Sequence, residues 1–423
     1  MTAAATGCSK SEPQDAPGAA PSVAPGAAPG TASQAGQGSS IASDHGVDLE
    51  KKVLRVGLLT DESGPAATIG KPYTAGKRLL AAQINAGGTG FLPEGWKIEL
   101  IERDHQYNPQ KAVQAYQDIK NDVLFIGHSF GTPNTLPLRD MLARDQMIAF
   151  AASLSSEMAR HPNTPPIGPS YELEAMRAMD FALERAGSPG AVKAGIVYQK
   201  DDLGKDGLAG WKAAAARHGV TIVSEQTAAP GQKDYTAVVT ALKEAGASHV
   251  MLTVLASATG PLLGTAQQLG YAPVWLGNTP AWVDRFFEPE VIPSQVFQGF
   301  HLVNGFPFWG EDVPGMKDLM SAYEKHGQGL PPPDLYLLAS YVQGRIAIEA
   351  FRRALERGDV TRKGFLTALH SLESFDLGGL IQPLDLTRQP YQTSTRVRVL
   401  APDMVKRTWT EVAPYAVPTA LAP

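Results

Sequence analysis

"IGHSFGT", Ile126 to Thr132, follows an apolar run, leads into a helix-like stretch and holds the pattern Gly127-x-Ser129-x-Gly131. Two readings compete for it. A glycine on each side of a serine suits the nucleophile elbow of an α/β-hydrolase, where a strand-to-helix turn tightens until the hydroxyl projects. The same letters fit an ordinary turn at the end of a parallel strand. The hydrolase reading needs an acid and then a histidine after Ser129. His301, His326 and His370 come in that order, but none lies beside a triad signature and no HGGG-type oxyanion segment precedes the serine. Position also counts against it, because the segment follows only the third strand of a chain whose second half repeats the same architecture. GxSxG alone is a weak motif.

Outward from this segment, short apolar runs alternate with amphipathic stretches, the pattern of repeated βα units around a parallel sheet. Strands are expected at 54–59, 98–102, 123–126, 148–151, 194–198, 221–226, 249–253 and 274–277. Helices are expected at 72–85, 109–121, 136–145, 172–186, 208–218, 235–245 and 260–269. Two such series in tandem, broken near "PNTPPIGPSYE", predict two Rossmann-like lobes. After Gly299 the order changes to helices at 316–325, 335–357 and 362–369, followed by strand-like "GGLIQPLDL" and "STRVRVLA". The fold class is therefore α/β, two lobes with parallel sheets joined by a hinge of several crossovers. The first lobe is expected to hold 51–170 with 303–372, the second 171–302 with 373–413, and 414–423 a tail.

The 423 residues carry 37 basic and 42 acidic side chains, a net charge of −5 spread without basic blocks, so nucleic acid is not an expected partner. No run reaches the ~18 apolar residues of a spanning helix. One cysteine excludes an intrachain disulfide, and neither it nor the scattered histidines suggest a metal site. No cofactor motif is present: "INAGGTG", 84–90, ends a helix, where glycine caps the C-terminus, whereas a phosphate cradle follows a strand. The cysteine, Cys8 in "AAATGCSKSE", resembles a bacterial lipobox and is the expected site of lipid attachment, although Met1 stands only seven residues before it. Residues 14–43 then form an Ala/Pro/Gly tether too poor in apolar surface to fold, reaching about 90 Å when extended.

Several motifs together resemble the Leu/Ile/Val-binding family of periplasmic solute-binding proteins that feed ABC transporters. They are "VGLLTDESGPAATIGKPYTAGKRLLAAQINAGGTG" with Ser63-Gly64-Pro65, Gly70 and Gly76, "IELIERDHQYNPQKAVQAY" with Asp104, Pro109 and Ala112, and "YQKDDLGKDGL". The resemblance runs from about residue 54 to 400. It implies the type I periplasmic-binding fold, no catalysis, action as a monomer, and a ligand held between the lobes and passed to a permease. It also implies that "HSFGTP" and "AASLSSEM" are ligand-binding turns, with Gly131, Thr132, Ser153 and Ser155 holding a carboxylate through hydroxyls and helix-terminal N–H groups. In the second lobe the family's acceptors for an ammonium align with Leu203, Leu255 and Thr279, which speaks against a free amino acid and for an apolar or aromatic carboxylate or an uncharged compound. Phe130 and Trp282 are expected to complete an apolar wall, and Asp201 or Asp202 to supply a charge if the register shifts.

Overall fold

A computed structural model describes residues 41–392 and 394–421; Cys8 and most of the tether lie outside them. In the first lobe four parallel strands stand in the order β2 (Lys97–Asp104), β1 (Val53–Thr60), β3 (Phe125–Phe130), β4 (Ala149–Ala152). A short strand, Val47–Asp48, runs antiparallel to the start of β1. In the second lobe five parallel strands stand in the order β6 (Thr221–Ala228), β5 (Lys193–Gln199), β7 (His249–Thr253), β8 (Val274–Asn278), β9 (Phe300–Asn304). Two antiparallel strands, β10 (Val397–Asp403) and β11 (Thr408–Ala416), extend that sheet. Parallel sheets bury both faces under helices, and Leu54, Leu58, Ile126, Ile196 and Leu252 are accordingly fully buried.

The longer helices are α1 (Ala67–Ala86), α2 (Pro109–Ile119), α3 (Tyr171–Ala186), α4 (Asp202–His218), α5 (Thr236–Glu244), α6 (Ala256–Gln268), α7 (Pro314–His326), α8 (Leu335–Glu356) and α9 (Arg362–Leu369); short ones stand at Thr132–Thr135, Arg139–Arg144 and Ser156–Ala159. Three of them begin earlier than their apolar periodicity predicts. α1 starts at Ala67 rather than at Pro72, α4 at Asp202 rather than 208, and α6 at Ala256 rather than 260. Their first turns are rich in glycine and small residues, which blurs the pattern. Asp201 caps α4 by accepting from Gly204 N–H, while Asp61 holds the turn just ahead of α1, accepting from Gly64 N–H and Ala66 N–H at 2.6 and 2.9 Å.

The chain passes between the sheets three times: after β4 into α3, after β9 into α7 and α8, and before β10. Arg398 joins two of these passages. Its buried guanidinium donates to Glu311 at 2.6 and 2.8 Å and to the Phe306 carbonyl at 2.9 Å, so the segment leaving β9 is tied to β10.

The expected boundaries shift for identifiable reasons. β9 belongs whole to the second sheet, so a division at 302 would cut a strand. Residues 373–391 lie with the first lobe, because Tyr391 N–H donates to the Ala159 carbonyl and Gln389 Nε2 to the Arg160 carbonyl. The expected tail at 414–423 is in part structure: β11 runs to Ala416, and Thr419 N–H donates to Asp180 at 2.8 Å.

Helices α1 and α8 approach most closely at Gly76, where an added Cβ would stand 2.4 Å from the Leu337 carbonyl and 2.8 Å from Ser340 Cβ. Gly76→Val should therefore force the helices apart and cost about 2–4 kcal/mol in urea unfolding. Gly264→Ala, at a helical site with nothing within 4 Å, should be neutral or stabilising by up to ~1 kcal/mol.

Candidate functional site

The segment that opened the sequence reading resolves into strand and turn. β3 continues through Gly127, His128, Ser129 and Phe130 with a bulge near Gly127, and the turn comes only at Gly131, whose φ of +89° suits glycine. Ser129 is thus inside a strand rather than on an elbow. Its buried hydroxyl bonds Thr135 Oγ1 at 2.8 Å, and no histidine stands within hydrogen-bonding reach of it. The geometry lacks the base that a serine nucleophile requires.

Beyond Gly131 a cavity of about 580 Å³, counting its open mouth, lies between the lobes. Phe130, Gly131, Ser153 and Leu154 from the ends of β3 and β4 form one wall. Leu203, Leu255, Thr279 and Pro280, from the turns after β5, β7 and β8, form the facing one. Ile69 and Tyr73 of α1, and Leu335, Tyr336 and Ala339 of α8, close it further, as do Tyr107 and Tyr171. Among the described residues, no charged side chain lines it. An inter-lobe space with mostly apolar walls and a few converging polar groups has the character of a small-molecule site.

Of the residues expected to contact a ligand, Phe130, Gly131, Ser153, Leu203, Leu255 and Thr279 line this cavity. Thr132 and Ser155 stand one layer back. The Thr132 hydroxyl bonds Ser153 Oγ at 2.7 Å, and Ser155 N–H donates to the same oxygen at 3.2 Å, so both set the orientation of Ser153. Trp282 lies elsewhere, against expectation. Its ring sits among Phe286, Phe287, Phe297, Phe300 and Trp409 at centroid distances of 4.6–5.5 Å, and its Nε1–H donates to Asp284 at 3.0 Å. Mutual burial of these rings holds the indole in the second-lobe core, away from the cavity. Asp201 is occupied by Gly204 N–H and Gln199, and neither it nor Asp202 lines the cavity.

Four tyrosines were not foreseen: Tyr73, Tyr107, Tyr171 and Tyr336 all line the cavity. Burial raises each phenol above its ordinary range, so all four are neutral at pH 7. Tyr73 and Tyr107 meet Phe130 edge-on at 6.1 and 6.4 Å. Beneath this wall the buried Lys77 amine donates to the Ser340 carbonyl at 2.7 Å, Ser340 Oγ at 3.2 Å and Gln343 Oε1 at 3.0 Å. Burial pulls its pKa well down, and it binds α1 to α8 rather than facing the cavity.

Several hydrogen bonds join the lobes around the cavity, among them one from Gln199 Nε2 to the Tyr107 hydroxyl at 3.4 Å. The Tyr336 hydroxyl, with its single proton, points between the Thr279 and Trp282 carbonyls at 2.7 and 2.6 Å. Asp206 of α4 accepts from Ser156 N–H at 3.0 Å, Ser156 Oγ at 2.6 Å and Ser155 Oγ at 3.3 Å, and from Glu172 N–H at 3.2 Å. Its carboxylate thereby holds the turn that carries Ser153 against the second lobe. Burial raises it to about 6 despite these donors.

A family model for periplasmic binding proteins matches residues 53–403. The chain belongs to the periplasmic binding protein family. Among similar sequences, an amino acid binding protein of Pseudomonas aeruginosa is 24% identical over 314 residues, covering 71% of this chain and 78% of that protein. A leucine-, isoleucine-, valine-, threonine- and alanine-binding protein of the same organism is 23% identical, covering 75% and 83%. Among solved structures, a fatty acid ABC transporter substrate-binding protein from Thermomonospora curvata aligns over 90% of this chain and 96% of its own, with a TM-score of 0.82 and 24% identity. A branched-chain amino acid ABC transporter protein from Thermus thermophilus with bound valine aligns over 88% and 98%, with a TM-score of 0.77 and 20% identity. These likenesses show the type I fold, and the family model places the chain among extracytoplasmic, periplasmic binding proteins. No helix among the described residues is long and apolar enough to cross a membrane.

Asp206→Ala should leave four donors without their acceptor and loosen the closed state. The variant is expected to weaken every ligand that closes the cleft by about tenfold, roughly the worth of one or two hydrogen bonds to a charged group. Stopped-flow binding should show the loss in dissociation rate, and equal dissociation rates in variant and wild type would remove Asp206 from this role.

Proposed function

We propose that this periplasmic binding protein captures a small apolar or aromatic molecule with a carboxylate or uncharged polar head and delivers it to the membrane subunits of an ABC permease. One observation carries the ligand class: no charged side chain among the described residues lines the cavity, and Leu203, Leu255 and Thr279 stand on its second-lobe wall. An ammonium closed into that space would lose several kcal/mol of hydration without an ionic partner. A carboxylate has suitable company at the opposite end, where Gly131 and Ser153 follow strand ends and Thr132 and Ser155 orient the serine hydroxyl. The apolar walls agree with the fatty-acid description of the Thermomonospora neighbour, but the lining of this cavity, not a 24% identity, is what supports the class.

Binding is reversible and closure is the mechanism. A ligand touching both walls favours the shut form by the contacts it makes there and not in the open one. The chain acts as a monomer, held outside the cytoplasm by lipid on Cys8, with the Ala/Pro/Gly tether giving it reach towards the permease.

A thermal-shift screen pairing leucine, isoleucine and valine with their deaminated acids, together with fatty and aromatic carboxylates and small amides, tests this. A ligand at 100 times its Kd adds about 2.7 kcal/mol, so the midpoint should rise with apolar acids and stay put with the amino acids. A rise with leucine, isoleucine or valine alone would overturn the ligand class. Leu203→Asp or Leu255→Asp should abolish the shift given by an apolar acid. An undiminished shift would take those residues out of the site.

A further inference from the structure

Glu174 lies in the first turn of α3, and its side chain is fully buried. Oε2 accepts from Thr279 N–H at 3.0 Å, and Oε1 is in short contact with the Thr279 hydroxyl. Both carboxyl oxygens are therefore committed to one residue, and that residue lines the cavity together with Leu203, Leu255 and Tyr336.

No cation compensates the carboxyl. The titratable groups that face it are Asp206 on α4, Tyr171 at the start of α3 and Tyr336 on α8, none of which carries positive charge. Arg177, one turn further along α3, pairs with Glu184 at 2.8 Å. An ionised carboxylate in this place would give up its hydration with no ionic partner in exchange, whereas a neutral acid gives up far less. Burial accordingly lifts Glu174 to about 8.

We propose that Glu174 is kept as a neutral carboxylic acid whose Oε1–H donates to Thr279 Oγ1, leaving the threonine's own proton to point into the cavity and select ligands that offer an acceptor there. The inference rests on the ligand reading above and narrows it. A carbonyl, carboxylate or ether oxygen is favoured at Thr279 over an ammonium, which could use only the hydroxyl's remaining lone pair and finds no ionic partner beside it. Glu174 touches no ligand; it is a positioning residue that sets which way the Thr279 hydroxyl points. If Glu174 were ionised, Thr279 would have to give its proton to the carboxylate, and its lone pairs would face the cavity instead. The same wall would then favour donors.

Infrared difference spectroscopy on the ligand-free chain reads this directly. About two pH units below the Glu174 value, where an acid of that pKa is almost wholly protonated, the wild-type spectrum minus that of Glu174→Gln should show the carbonyl stretch of a protonated carboxyl. The band should titrate away as the pH passes about 8. Thr279→Val, which removes the accepting hydroxyl, should keep the band and move it to higher frequency. A missing band, or one that Thr279→Val leaves unmoved, overturns the proposal. A second arm compares octanoate with octylammonium, which share a chain and differ in the head, by thermal shift at the same pH. Wild type and Glu174→Gln, whose amide reproduces the donated hydrogen bond, should both prefer octanoate. Thr279→Val should lose at least part of that preference. A preference of the wild type for octylammonium also overturns the proposal. If neither compound binds, the ligand class proposed above has failed, and the infrared bands still decide the state of Glu174.

Discussion

Parallel pairing is the constraint from which the site follows. When strands run the same way, all of their carboxyl ends emerge at one edge of the sheet, and each must turn there into a helix. The cavity is built from those turns: Gly131 after β3, Ser153 after β4, Leu203 after β5, Leu255 after β7 and Thr279 after β8. Two such edges placed face to face enclose a volume already supplied with helix N-termini and short polar side chains. The antiparallel strands β10 and β11 lie at the far side of the second sheet and contribute nothing to the cavity lining.

Within that frame, polar groups are spent at the walls in two different ways. Hydroxyls in the first lobe support one another, as Thr132 does Ser153, and leave the serine at the surface of the cavity. Carboxyls are kept out of the lining altogether. Asp206 is turned to the seam between the lobes, Asp201 to the start of α4, and Glu174 to the back of Thr279. Acidic residues thus shape the site without giving it charge, and an apolar cavity can coexist with a polar second layer.

How much of this is legible in the sequence depends on whether the relevant contacts are local. The βα alternation is local and shows the two sheets, because each strand carries its own apolar run and each helix its own periodicity. Turn glycines such as Gly131 are equally local. Leu203, Leu255 and Thr279 were placed through the spacing of the family resemblance, and they do line the cavity. Helix starts were read too late where the first turn faces the cleft, since small residues such as Gly204, Gly207 and Ala256 carry no periodic signal. Trp282 was expected at the ligand wall, but five aromatic rings, from Phe286 and Phe287 close by in the chain to the distant Trp409, capture it. Tyr336 lies 57 residues from Thr279 in the chain, and nothing near either one announces that they meet. Nothing in the sequence sets Glu174 or Asp206 apart from the other acids of their helices. Only folding reveals which face of each helix is turned inward.

The three passages of chain between the lobes have a mechanical meaning. A single connecting strand would act as a swivel, leaving the lobes to twist and slide as well as to open. Three connections, two of them fastened side by side by Arg398, behave as a flexure, stiff to shear and torsion and compliant only in bending. Most of the relative motion of the two halves is then removed by covalent architecture before any solute arrives. The solute has to arrest one rotation rather than six degrees of freedom, so a modest number of contacts is enough to hold the jaw shut.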